Sequence, residues 1–227
     1  MGFRDRADAG RALAARLGQL AGHDDVLVLG LPRGGVPVAH EVASALGAPL
    51  DVLVARKLGA PGQSELAMGA VAAGGVRVLH RAVVDALAVG PEVVEQVARR
   101  EEAEVARREQ SYRRGRPPLD VAGRVVVVVD DGLATGSTMR AAVAALRVQG
   151  PQRIVVAVPV GAPETCEQLA AEADEVVCLE MPRGFRAVGQ WYDDFSQTTD
   201  DEIRDLLGPS TRSGGRSGPG KEDDDGQ

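Results

Sequence analysis

A run of five valines, residues 125–129, constrains the fold of this chain more than any other feature of its sequence. β-Branched residues favour extended strands, and a strand that is apolar on both faces must be covered by other elements on both faces. Shorter apolar runs recur along the chain and alternate with segments of helical periodicity. This alternation predicts an α/β fold, with a doubly wound, mostly parallel sheet flanked by helices.

The predicted elements fill most of the chain. Helices are predicted at residues 4–20, 36–46, 91–112, 139–148 and 164–172, and strands at residues 26–29, 50–55, 66–71, 76–79, 125–129, 153–160 and 175–179. Together they predict one domain over residues 1–208. Residues 209–227 are mainly Ser, Gly, Pro and charged residues, which cannot bury a core, so a disordered polar tail is predicted there.

Bulk composition argues against several classes of protein. The formal net charge is −7, so no nucleic-acid partner bound by bulk electrostatics is expected. Cys166 and Cys178 fit neither a metal-ligand spacing nor a disulfide framework, as is usual in a reducing compartment. No run approaches the ~18 apolar residues that a membrane span needs, and no secretory signal is recognisable. The sequence therefore predicts a soluble cytoplasmic protein with no membrane partner.

Two adjacent carboxylates, Asp130 and Asp131, follow the valine strand directly and precede a loop of small residues. Loop amides and the N-terminus of the next helix favour a phosphate dianion, to which the loop hydroxyls can donate. The carboxylates would instead accept hydrogen bonds from sugar hydroxyls or hold a hydrated Mg²⁺. We therefore expect a site for a phosphorylated polyol, the alternative being an ordinary strand-to-helix turn. The candidate loop residues are Ala134, Thr135, Gly136, Ser137 and Thr138.

Candidate anion-binding residues also follow two earlier predicted strands. Arg33, Gly34 and Gly35 stand between a strand and a helix, where paired glycines let the backbone approach an anion and a guanidinium suits phosphate. Arg56 and Lys57 follow the second predicted strand, and phosphate would be a natural partner for cations there. The alternatives are a Gly-rich turn for the first group and a solvated strand terminus for the second.

The sequence V-V-V-D-D-G-L-A-T-G-S-T, residues 127–138, resembles the phosphoribosyl-pyrophosphate (PRPP) motif of type I phosphoribosyltransferases. This resemblance implies that Asp130 and Asp131 clamp the ribose hydroxyls, with Mg²⁺ as cofactor at the same carboxylates, and that residues 134–138 cradle the 5-phosphate. It also implies that the R-G-G loop, residues 33–35, binds pyrophosphate, with Lys57 and Arg56 near it. The family fold adds a small hood from the C-terminal segment, to which the N-terminal segment is a second candidate contributor.

Two further segments carry expectations from the resemblance. Residues 59–70 have the Gly and Pro content of a mobile lid, in which Glu65 would be a general base, an Mg²⁺ ligand or simply a surface carboxylate. Residues 185–195 hold the single tryptophan, Trp191, together with Tyr192 and two phenylalanines. In the family this region selects the acceptor, so Trp191 and Tyr192 are expected to stack on a base. The alternative is that these rings only attach the last segment to the sheet.

The resemblance spans roughly residues 3–207 and implies transfer of a phosphoribosyl group from PRPP to a nucleobase or related nitrogen acceptor, with release of pyrophosphate. Lys57, Asp130 and Asp131 would be the catalytic residues. The 6-oxopurine branch carries an Asp where this chain has Ala134, so a hypoxanthine or guanine acceptor loses support. A PRPP-sensing regulator without catalysis is the alternative, and a homodimer is possible in either case. Some similar proteins carry a hydrolase domain, which is not expected here because no G-x-S-x-G elbow is present.

Overall fold

The computed structural model describes residues 2–208, apart from the side chains of residues 64 and 65. The predicted tail and the predicted role of the Glu65 carboxylate lie outside the described residues. No helix within that range is both long enough and apolar enough to cross a bilayer.

The strands are β1 (Val26–Gly30), β2 (Leu50–Val52), β3 (Ala55–Ala60), β4 (Gln63–Ala72), β5 (Val76–Leu79), β6 (Val125–Val129), β7 (Arg153–Val160) and β8 (Glu175–Glu180). The helices are α1 (Arg6–Arg16), α2 (Gly35–Leu46), α3 (Arg81–Ala86), α4 (Pro91–Tyr112), α5 (Ser137–Val148), α6 (Pro163–Ala170) and α7 (Asp200–Leu207).

A five-stranded parallel sheet forms the centre of the molecule, in the order β2-β1-β6-β7-β8. Successive valines of β6 point to opposite faces, and both faces are buried. Val126 and Val128 belong to a core cluster that includes α5 side chains, whereas Val125, Val127 and Val129 belong to a cluster that includes side chains of α1 and α2. The predicted α/β fold, with a doubly wound parallel sheet covered on both faces, is confirmed.

The strand order reverses between β1 and β6. From β1 the chain continues outward to β2, and from β6 it continues outward through β7 to β8. In open parallel sheets, ligands bind beyond the carboxyl ends of the strands at such a switch point. Gly30, the last residue of β1, pairs with Val129, the last residue of β6, so the loops that follow these strands start side by side.

A second, three-stranded antiparallel sheet, β3-β4-β5, replaces two of the predicted features. The apolar run at residues 50–55 was predicted as one strand, but the chain leaves the parallel sheet after Val52 and Ala55 starts β3. Residues 59–70, predicted as a mobile lid, belong to the β3–β4 hairpin, whose turn contains Gly62 at φ +74°. The predicted pairing across Gly74 and Gly75 is confirmed, since β4 and β5 are antiparallel neighbours.

The N-terminal segment and the aromatic segment at residues 188–195 meet and together form the hood. The Phe3 N–H donates to Trp191 O at 2.7 Å, and the Asp193 N–H donates to Phe3 O at 2.9 Å. The Phe3 ring also packs on the Tyr192 ring, with centroids 5.7 Å apart. Both the N-terminal segment and the C-terminal segment therefore contribute to the hood.

Candidate active site

The paired aspartates and the R-G-G loop lie against each other at the switch point of the sheet. A Cβ atom at Gly35 would lie 2.5 Å from Val129 O and 2.8 Å from Asp130 Cα, and one at Gly34 would overlap the Asp131 carboxylate. These approaches leave no room for a side chain. Gly34 and Gly35, predicted from the sequence as part of an anion-binding loop, thus allow that loop to lie directly against the two acids. The peptide bond between Pro32 and Arg33 in this loop is cis.

Each aspartate engages one of its carboxylate oxygens with the protein. Asp130 Oδ1 accepts the Asp131 N–H at 2.9 Å. Asp131 Oδ2 accepts Arg6 Nε at 2.9 Å and also lies 2.8 Å from Arg6 Nη2. Within the described part of the chain, no hydrogen bond reaches Asp130 Oδ2 or Asp131 Oδ1. Two carboxylate oxygens from neighbouring residues therefore remain for a ligand.

Burial sets the electrostatics of the acid pair. Burial, followed by repulsion from Asp131, raises the pKa of the Asp130 carboxyl well above its ordinary value. Burial also raises the pKa of Asp131, although the Arg6 guanidinium opposes that rise. A hydroxyl donor or a cation that binds to these oxygens would therefore stabilise the buried carboxylates.

The loop between β6 and α5 shares a cavity with Asp130. The cavity has a volume of about 180 Å³, and Val188 of the hood also lines it. Gly136 is left-handed, at φ +66°, and α5 starts at the next residue, Ser137. The Thr135 and Ser137 hydroxyls lie 3.0 Å apart. The aspartate and the hydroxyl loop, which the sequence places in one motif, thus line one space. All the loop residues named from the sequence, Ala134, Thr135, Gly136, Ser137 and Thr138, line it.

Thr165 of α6 supports this loop from behind and was not expected from the sequence. Its hydroxyl donates to Ala134 O at 2.8 Å, and its Cγ2 methyl fills the space that a Cβ of Gly136 would need. Thr165→Val keeps the shape and removes the hydrogen bond, so it should lower the free energy of unfolding by about 0.5–1.5 kcal/mol. Chemical denaturation measures the change. An unchanged free energy of unfolding in Thr165→Val would contradict the role of this hydrogen bond.

The cations predicted to bind pyrophosphate differ in their surroundings. Arg33 is 39% exposed and lies 3.8 Å from Asp200 Oδ1 at the start of α7. Arg56 is ion-paired with the buried Glu101 of α4, so a carboxylate occupies the place where phosphate was the expected partner. Lys57 lies in the antiparallel sheet. The sequence predicted it instead at the end of a strand of the parallel sheet. It lines a cavity of about 210 Å³ together with Ser137 at the N-terminus of α5.

The aromatic segment packs into the hood. Tyr192 is 7% exposed, and its ring contacts those of Phe3 and Phe195. Its hydroxyl donates to Asp131 O at 2.6 Å, and burial above all raises the pKa of that hydroxyl, which keeps it a donor. Trp191 is half-buried in a 3₁₀ turn, Val188–Trp191. For Tyr192 the structure favours the attachment role over the predicted stacking on a base.

Arg6 is a second site residue that was not predicted from the sequence. Besides Asp131, its guanidinium donates to Ser196 O at 2.7 Å and lies 4.0 Å from the centroid of the Phe195 ring. Arg6 and Asp131 are 125 positions apart, and nothing near Arg6 in the sequence marks it. Only the folding of the hood onto the sheet brings the two together.

The chain is similar to known proteins over most of its length. The family model described as "Phosphoribosyl transferase domain" matches residues 4–194. Two proteins of Mycobacterium tuberculosis, named "Putative phosphoribosyl transferase MT0597" and "Putative phosphoribosyl transferase Rv0571c", are each 53% identical over 201 residues, which is 88% of this chain and 45% of theirs. The chain thus spans about half the length of these relatives. The crystal structure of TT1426 from Thermus thermophilus is 48% identical, with a TM-score of 0.85 over 91% of this chain and 98% of that one.

Proposed function

This chain belongs to the phosphoribosyl transferase family, and from that premise we propose that it binds PRPP with Mg²⁺ and transfers the phosphoribosyl group to a nitrogen acceptor, a nucleobase or a related compound, with release of pyrophosphate. The observation that carries the proposal is that Asp130 shares a cavity with a hydroxyl-bearing helix N-terminus, while Asp130 Oδ2 and Asp131 Oδ1 accept no hydrogen bond from the described residues. Two adjacent hydroxyls and a phosphate on one pentose match these groups in number and chemistry.

Binding would use three parts of the site. Asp130 and Asp131 would accept hydrogen bonds from the ribose hydroxyls, which fixes the sugar and turns a bimolecular step into an oriented one. The amides and hydroxyls of residues 134–138 would bind the 5-phosphate at the N-terminus of α5. The amides of Gly34 and Gly35 would face the pyrophosphate, because their loop lies against the acids that hold the ribose.

Charge on the departing pyrophosphate would be stabilised by cations close to the site. Arg33 lies on the R-G-G loop itself, and its partly exposed guanidinium is paired with Asp200 only at 3.8 Å. Lys57 lines a cavity that Ser137 of the phosphate loop also lines. Arg56 has the weaker case, since Glu101 already neutralises it.

The donor set fits Mg²⁺ held jointly by protein and substrate. In the described range, no group of three or more His, Cys, Asp or Glu side chains could hold a metal by itself. Mg²⁺ commonly binds through one or two carboxylates, waters and substrate phosphates, and Asp130 and Asp131 offer such carboxylates. When bound, the ion would supply positive charge to the pyrophosphate.

One observation favours a second candidate, a PRPP sensor that performs no transfer. Tyr192, which the sequence assigned to the acceptor, is committed to packing and to a hydrogen bond with Asp131 O. A sensor would need the PRPP groups but no acceptor pocket. The acceptor is therefore proposed by chemical class alone.

Titration calorimetry with PRPP and Mg²⁺, followed by pyrophosphate release with a panel of purines, pyrimidines and small amines, tests both candidates. The transferase predicts PRPP binding and acceptor-dependent release of pyrophosphate. Tight PRPP binding without release for any acceptor would select the sensor. An absence of PRPP binding would contradict both.

A further inference from the structure

The Arg6 side chain is held by contacts on several sides, unlike a solvated surface arginine. Its side chain is 12% exposed, and each nitrogen of its guanidinium has a contact: Nε and Nη2 with Asp131 Oδ2, and Nη1 with Ser196 O. The guanidinium also lies over the Phe195 ring, 4.0 Å from its centroid. An arginine with these three contacts is held in one orientation, and it in turn fixes the orientation of the carboxylate that it binds.

The geometry of the pair leaves part of Asp131 available. Arg6 Nε and Nη2 both lie close to Asp131 Oδ2. A side-on ion pair would instead engage both carboxylate oxygens. Among the contacts of residues 2–208, Oδ1 has no hydrogen bond. Arg6 therefore fixes the rotation of the Asp131 carboxylate through Oδ2 and leaves Oδ1 without a hydrogen bond from the described residues.

Charge gives a second reason for an arginine here. Asp130 and Asp131 are adjacent, largely buried carboxylates, and the proposed ligand carries several negative charges. Within the described range, Arg6 is the one cation in a salt bridge with this pair. Without it, no paired cation would offset the mutual repulsion of the acids or their repulsion of a polyanion.

From these contacts we propose that Arg6 is a positioning residue for the reaction: it orients Asp131 and offsets its charge, so that Oδ1 is presented to a ribose hydroxyl. This inference rests on the proposed function, because it assumes that Asp131 binds the sugar. It also implies that the N-terminal helix α1, far from the PRPP motif in sequence, is part of the substrate site.

The test is a double-mutant cycle that combines Arg6→Gln with Asp131→Asn, read out as the dissociation constant of PRPP by calorimetry. We expect Arg6→Gln to weaken PRPP binding by about tenfold or more in the wild-type background. In the Asp131→Asn background the same change should have an effect of less than about threefold, because the interaction it removes acts through Asp131. Arg6→Lys, which restores the charge but not the fork, should recover part of the affinity.

Two controls separate positioning from folding. Arg11→Gln removes an exposed arginine of the same helix, which pairs with Asp8 and Glu41, and should leave PRPP affinity unchanged. Trp191 is the single tryptophan of the chain, and its carbonyl binds Phe3, so its fluorescence reports on the hood. An unchanged emission spectrum in Arg6→Gln shows that the hood is intact; if it changes, Arg6→Lys takes its place in the cycle.

The outcomes are distinct. A loss of affinity in the wild-type background that is largely absent in the Asp131→Asn background supports the inference. An equal loss in both backgrounds, or unchanged or tighter PRPP binding in Arg6→Gln, overturns it, and tighter binding would mean that Arg6 blocks the site. If the wild-type protein does not bind PRPP at all, the proposed function fails, and the positioning role fails with it.

Discussion

Replacing Asp130 and Asp131 together by asparagine should abolish measurable PRPP binding. Each charged hydrogen bond to a carboxylate contributes about 1.5–3 kcal/mol, so losing two weakens binding by at least about a hundredfold. Asparagine keeps the size of each side chain, and the acids are buried enough that their charge raises the free energy of the folded state. The variant should therefore fold. Calorimetry with PRPP and Mg²⁺ measures the loss, and the thermal transition checks the fold.

The chain offers a matched control for this double substitution. Asp24 and Asp25 are also adjacent aspartates, but they are exposed and precede β1, at the opposite end of the parallel strands from the candidate site. Asp24→Asn with Asp25→Asn makes the same change in net charge. It should leave PRPP affinity within about twofold, because exposed charges at that distance are screened by salt. Unchanged affinity in the Asp130 and Asp131 variant would refute the clamp.

The central sheet could be predicted because its signals are local. The five valines of β6 and the apolar run of β7 were placed at the residues where the structure has them, and so was α4, which opens with Pro91. Burial on both faces requires a continuous apolar run, so the sequence of such a strand reveals both its extent and its environment. The order of the strands in the sheet carries no comparable local signal.

The antiparallel sheet was only partly predictable for the same reason. Leu53 and Val54 are buried, but they connect β2 with β3 without belonging to either strand. An apolar run predicts burial, and nothing in it distinguishes a strand from a buried connection. The prediction therefore joined β2 and the start of β3 into one strand, and it assigned Lys57 to the wrong sheet.

Within the candidate site, only the residues that lie in one sequence motif could be predicted to lie together. Asp130 and the loop that follows it were expected to share a space, and they line one cavity. Arg6, Thr165 and Tyr192 reach the same motif from distant parts of the chain, through one hydrogen bond or ion pair each to its residues or backbone. Such contacts depend on the tertiary packing, so one sequence alone does not indicate them.

Gly34→Ala should disable the site through the single methyl group it adds. Gly34 has ordinary helical torsions, φ −65° and ψ −30°, so the backbone does not oppose alanine. The obstacle is the neighbouring carboxylate: a Cβ there would overlap Asp131 Oδ2 and lie 2.6 Å from Asp131 Cγ. Either the R-G-G loop or Asp131 must move, and Asp131 is held by Arg6. Overpacking of this kind costs about 1–3 kcal/mol of stability, and we expect PRPP affinity to fall by at least about tenfold because clamp and loop separate.

The cause can be isolated with two comparisons. Gly18→Ala adds a methyl group where no atom lies within 4 Å, and should leave both stability and PRPP affinity unchanged. In an Asp131→Ala background the atoms that Gly34→Ala would overlap are gone, so the second substitution should cost far less stability there than in the wild type. Denaturation curves of the four proteins in this cycle give the coupling. If Gly34→Ala is equally destabilising in both backgrounds, the contact between the R-G-G loop and the aspartate is not what requires glycine at this position.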